Sequence, residues 1–100
     1  MATLKEGVMY KRGKINTDWK LRTFVLTAKQ LAYFKGGSRS PSGTIELQHI
    51  HQVSNVQDNE FMVVTSVRTF ALRGESLTEA QTWRNAIVNA CNKAGITLLT

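Results

Sequence analysis

Over the first seventy-odd positions, apolar and polar residues alternate in short runs, each ended by a turn signal. That period of two predicts β-strands. Leu4 to Lys11 is the first run, closed by the polar, glycine-containing stretch Arg12-Gly-Lys-Ile-Asn-Thr-Asp18. Trp19 to Thr27, rich in aromatic and β-branched residues, precedes Gln30 to Lys35 across a turn short enough for a hairpin. Gly36 to Gly43, dense in glycine and serine around Pro41, reads as a loop. Thr44 to Leu47, Ile50 to Val56, Phe61 to Thr65 and Arg68 to Leu72 complete seven strands. Turns are expected at Gln57-Asp58-Asn59 and near Ser66-Val67.

The period then changes. Leu77, Ala80, Trp83, Ile87, Ala90, Cys91 and Ala94 recur at spacings of three and four, one face of a helix over about 76–94. Ser76 and Glu79 have capping-box spacing, Lys93 suits the negative end of the dipole, and Gly95 stands where a left-handed cap belongs. Strands without alternating helices disfavour a parallel α/β fold. The expected class is all-β with one C-terminal helix. It is a seven-stranded antiparallel β-sandwich, or partly open barrel, with the amphipathic helix plugging one end and Trp83 as the plug's main packing residue. With 100 residues, a single domain over 1–100 is the natural reading, its strands spanning about 4–73.

Charge changes the picture because it is uneven. Residues 1–39 carry nine basic and two acidic side chains, and residues 40–100 carry four and five. The net +6 therefore resides in the N-terminal part, which points to an anionic partner: phospholipid, nucleic acid or an acidic protein. No apolar run approaches the ~18–20 residues that span a bilayer, and the first residues lack the apolar stretch of a secretory signal. The lone Cys91 excludes an intrachain disulfide and fits a reducing compartment.

Strand parity localises the charge. Lys20 and Arg22 share a face with Phe24 and Leu26, which are plain core residues. Cations buried deep among them would be very costly, so the strand is expected to emerge at the barrel mouth with both cations lining it. Lys11 shares a face with Met9 beside the same loop, Tyr33 shares one with Leu31, and Arg12 and Lys14 are placed on the intervening loop. A solvent-open group of lysines, an arginine and a tyrosine hydroxyl suits phosphate monoesters: guanidinium grips bidentately, ammonium acts as an adjustable point charge.

The stretch from Leu4 through Lys11, Trp19-Lys-Leu-Arg-Thr-Phe-Val-Leu-Thr27 and Gln30-Leu-Ala-Tyr-Phe-Lys35 resembles the opening of pleckstrin-homology (PH) domains. The likeness continues through Gly43-Thr-Ile-Glu-Leu47 to Trp83. The resemblance implies a seven-stranded sandwich capped by one helix. It also implies phosphoinositide binding by a lysine ending strand one and a basic-x-Arg pattern on strand two, here Lys11 and Lys20-Leu-Arg22. Tyr33 matches a headgroup-contacting tyrosine of members selective for 3-phosphorylated lipids. The expected ligands are PI(3,4,5)P3, PI(3,4)P2 or PI(4,5)P2, or soluble inositol phosphates, bound by Lys11, Lys20, Arg22, Tyr33, Lys14 and Arg12. Ile15 at the loop tip is the candidate bilayer contact.

The expected role is therefore a monomeric module within a signalling protein. It would be cytoplasmic and recruited to the inner face of the plasma membrane or another phosphoinositide-bearing membrane. The alternative is a protein- or peptide-interaction module of the same superfold, taking a peptide strand along Ile50–Val56. Nucleic acid ranks last, for want of exposed aromatics beyond Tyr10 and Tyr33. No enzyme activity, cofactor or metal is expected: P-loop, dinucleotide, zinc-spacing and nucleophile-elbow motifs are absent, and His49 and His51 lack a third ligand.

Overall fold

The computed structural model describes residues 2–13 and 18–99. The strands are β1 (Thr3–Arg12), β2 (Trp19–Thr27), β3 (Gln30–Phe34), β4 (Gly43–Glu46), β5 (Ile50–Val53), β6 (Glu60–Thr65) and β7 (Thr69–Arg73), followed by α1 (Leu77–Lys93). All neighbours pair antiparallel in one sheet, in the order β4-β3-β2-β1-β7-β6-β5. The long β1 is the shared middle, carrying β2 along one side and β7 along the other.

The alternation read from the chain is the alternation that packs. Met9, Phe24, Leu26, Leu31, Ile45, Phe61, Val63 and Leu72 are buried on the inner side. Ala80, Trp83, Ile87, Ala90 and Cys91 of α1 are buried against them. Trp83 is wholly buried, stacked edge-on against Phe24 at 6.2 Å. At ~25 cal/mol per Å², an indole of this kind contributes roughly 4–6 kcal/mol of gross burial. The ring lies against Gly7, where a Cβ would meet it at an ordinary contact distance of 3.5 Å. Lys5 Nζ caps the same ring at 5.0 Å.

The helix begins as its sequence implies: Ser76 Oγ accepts from the Glu79 amide at 3.1 Å. It ends at Gly95, whose φ of 78° only glycine adopts readily. Leu77 departs from the expected buried stripe and is 61% exposed. The helix first touches the sheet at Ala80, whose backbone lies directly on Gly74.

Two differences from expectation flank β5. A 3₁₀ turn, Leu47–His49, separates β4 from β5. β5 stops at Val53 because the Ser54 carbonyl accepts from Arg84 Nε of the helix at 3.2 Å. Arg84 Nη2 also reaches Asn55 Oδ1 at 3.3 Å, and the Met62 amide donates to Ser54 Oγ at 2.8 Å in place of the carbonyl Arg84 has taken.

Candidate anion-binding site

Register brings three hairpin ends together. β1 and β2 pair up to Arg12↔Trp19, β2 and β3 up to Thr23↔Phe34, and β7 meets β1 at Lys11↔Leu72 and Tyr10↔Arg73. The β1–β2, β3–β4 and β6–β7 connections therefore leave the sheet at the same end, away from the Trp83 plug.

At that end Lys11 and Lys20 are directly opposite one another, and Arg22 is opposite Met9. The inner row of this strand pair thus runs from core residues into three cations. Their floor is aromatic. Tyr33 packs on Phe24 at 5.9 Å and on Phe70 at 6.4 Å between ring centres. Lys11 Nζ stands 4.8 Å above Tyr33 and 5.7 Å above Phe70. Such contacts hold an ammonium by about 0.5–1 kcal/mol each where water has access. The Tyr33 hydroxyl lies over the α-carbon of Gly43, its cross-strand partner, where any side chain would displace it.

Arg68, which sequence reasoning did not place here, completes the group. It precedes β7, and its guanidinium covers Phe70 at 4.3 Å, so Lys11 and Arg68 share one ring. Burial holds the Lys11 ammonium below its ordinary 10.5, and repulsion from Arg68, Arg22 and Lys20 adds to that. Lys35 and Arg39, exposed in or beside the β3–β4 loop, lie at the same end. Arg22 Nη1 donates to the Leu21 carbonyl at 2.8 Å, folded back on its own strand.

Arg12 is not part of the cluster. It is the last residue of β1 rather than a loop residue, so its side chain emerges opposite Lys11, where it stacks on Trp19 at 4.7 Å. Lys14 and Ile15 lie outside the described residues. The strand edge expected to accept a peptide is partly occupied by the chain itself. Leu99 bridges Gln52 in parallel, and its amide donates to the His51 carbonyl at 2.8 Å.

The arrangement can do one thing well: present converging ammonium and guanidinium groups, over a shared aromatic floor, to a multiply charged anion entering from solvent.

The family model of the PH domain matches residues 3–92. The chain belongs to the PH domain family. It is 31% identical over 102 residues to Ras GTPase-activating protein 2 of Rattus norvegicus, covering 89% of this chain and 12% of that protein. To pleckstrin homology domain-containing family A member 2 of Homo sapiens it is 30% identical over 90 residues, covering 80% and 21%. This PH domain thus spans about an eighth to a fifth of the length of these relatives.

Among solved structures, the C-terminal PH domain of pleckstrin in complex with D-myo-Ins(1,2,3,4,5)P5 superposes with a TM-score of 0.81. It is 29% identical, and the match covers 89% of this chain and 98% of that one. The PH domain of Slm1 in complex with inositol-4-phosphate, at 17% identity and a TM-score of 0.80, shares the fold, with 91% and 97% covered.

Proposed function

We propose that this PH domain binds the phosphorylated headgroup of a phosphoinositide at the open end of the barrel and so docks its parent protein on membrane. The supporting observation is the crowding of Lys11 by Arg68, Arg22 and Lys20. Like charges gathered on an aromatic floor repel one another until an anion neutralises them. The pleckstrin neighbour, solved with an inositol pentakisphosphate, supports the same ligand class.

In this reading Lys11, Arg22 and Arg68 grip adjacent phosphates, Lys20 adds charge, and Tyr33 orients Lys11. The candidate lipids are PI(3,4,5)P3, PI(3,4)P2 and PI(4,5)P2, on the cytoplasmic face of the plasma membrane or another membrane bearing them. The module acts by binding, without catalysis. A peptide strand along β5 is the less favoured reading, since Leu99 already takes the His51 carbonyl.

Titration of soluble inositol phosphates differing in phosphate position tests the proposal. Lys11→Ala or Arg22→Ala is expected to remove nearly all binding while circular dichroism and melting stay native-like. Equal binding by wild type and both variants would sink it.

A further inference from the structure

The loop between β3 and β4 is exposed throughout residues 35–42 and carries three serines, Ser38, Ser40 and Ser42. A serine in a loop ordinarily serves the turn itself, and two of these do. Ser42 Oγ accepts from the Lys35 amide at 3.2 Å, and the Ser42 amide donates to the Tyr33 carbonyl at 2.8 Å, closing the base of the loop. Ser38 Oγ donates to the Ser40 carbonyl at 2.9 Å and accepts from the Ser40 amide at 3.3 Å. The Ser38 amide in turn donates to the Lys35 carbonyl at 3.0 Å.

Ser40 is the exception. Both of its backbone groups are held by Ser38, yet its own hydroxyl makes no hydrogen bond among the described residues. It is an exposed oxygen nucleophile on a loop fixed at its base, where an added group breaks no contact of the fold. Its neighbours are Arg39 and Pro41, the chain's one proline. Pro41 has a fixed φ and no amide to donate. The segment therefore suits an enzyme whose groove asks for no donor just after the reacting serine.

Placement gives such a modification a consequence. The loop leaves the sheet at the end where Lys11, Lys20, Arg22 and Arg68 gather, and it adds Lys35 and Arg39.

The geometry points to Ser40 as a phosphorylation site for a proline-directed protein kinase, its phosphate opposing the cations of the open end and switching membrane docking off. The inference rests on the headgroup reading above and gives that site a control. In the transfer, Ser40 Oγ bonds to the γ-phosphorus of a nucleoside triphosphate as the bond from that phosphorus to its bridging oxygen breaks. The nucleoside diphosphate leaves, and the hydroxyl proton passes to the base of the kinase. The phosphoserine then carries about −1.5 to −2 charge at neutral pH. Each basic side chain near an anionic bilayer contributes roughly fivefold to affinity. Cancelling up to two of them weakens docking about ten- to thirtyfold, and less at high salt.

The test incubates wild type, Ser38→Ala, Ser40→Ala and Pro41→Ala with ATP and a proline-directed serine/threonine kinase, and maps the phosphate by mass spectrometry. One phosphate is expected on wild type and Ser38→Ala, and none on Ser40→Ala or Pro41→Ala. No label on wild type overturns the site, as does undiminished label on either of the last two variants. Binding is then measured on phosphatidylcholine–phosphatidylserine vesicles carrying a few mole per cent of PI(3,4,5)P3, PI(3,4)P2 or PI(4,5)P2. Unmodified Ser40→Ala is expected to match wild type, Ser40→Glu to bind about fivefold more weakly, and the phosphorylated domain about ten- to thirtyfold more weakly. Equal affinity before and after phosphorylation overturns the switch. If unmodified wild type binds none of these vesicles, the headgroup reading fails and the switch with it, whereas the mapped phosphate stands or falls by itself.

Discussion

Replacing Arg68 with glutamine separates its proposed role as ligand for phosphate from its role as the charge that presses hardest on Lys11. Glutamine keeps much of the length and an N–H donor but loses the charge. The phosphate keeps its charge, so the variant loses chiefly the Coulombic attraction of the guanidinium, about 1 kcal/mol for unit charges ~4 Å apart in water and more where water is partly excluded. A loss of about 1–2 kcal/mol corresponds to roughly five- to thirtyfold weaker binding of a soluble inositol polyphosphate. The free domain responds differently. It loses the stacking of Arg68 over Phe70, about 0.5–1 kcal/mol. It also sheds a like-charge repulsion of similar size, about 0.7 kcal/mol for unit charges ~6 Å apart in water-like surroundings. Melting should therefore stay within a few degrees of wild type, while the Lys11 ammonium returns toward its ordinary 10.5. Calorimetric titration reads the first effect, and NMR titration of the Lys11 side chain reads the second. Undiminished binding would remove Arg68 from the site, and an unmoved Lys11 would refute the electrostatic coupling.

The depressed Lys11 also gives stability a pH dependence of definite sign. An unfolded chain holds that proton up to about 10.5, whereas the folded chain releases it sooner. Between the two values the unfolded state carries more protons, so stability rises with pH, and below the folded value the cost of the charge is fully present. Lys11→Met should flatten that rise in denaturation curves taken across alkaline pH. A slope identical to wild type would contradict it. Gly74→Ala should destabilise the fold with the binding residues untouched, since its Cβ would fall 2.5 Å from the Ala80 amide nitrogen and 2.7 Å from its α-carbon. About 1–3 kcal/mol is expected, a fall of several degrees or more in melting temperature. An unshifted melt would show that the helix yields freely there.

What could be read from the chain beforehand was local. Lys20 and Arg22 follow from parity with Phe24 on one strand, and α1 from its stripe, its Ser76 cap and Gly95. Arg68 was illegible for the opposite reason: its place beside Lys11 depends on β7 pairing with β1, residues some sixty positions apart. No local pattern encodes that adjacency. Arg12 shows how sharp the period of two is. Extending β1 by one residue, from Lys11 to Arg12, sends the side chain to the far face. The early end of β5 likewise depends on a helix residue, Arg84, thirty positions away.

The inward row of β1 carries a lysine near each end, and each stands over an aromatic ring: Lys5 over Trp83, and Lys11 over Tyr33 and Phe70. At the plugged end the helix and its indole are permanent, so the Lys5 contact is a fixture of the architecture. At the open end the same contact is provisional. In the proposed reading the rings serve as a dock on which a cation waits, and an arriving phosphate would lift it off. Lys11 is thus already placed on its rings, whereas Arg22, bonded to the Leu21 carbonyl at 2.8 Å, is the side chain that would have to turn for the proposed ligand.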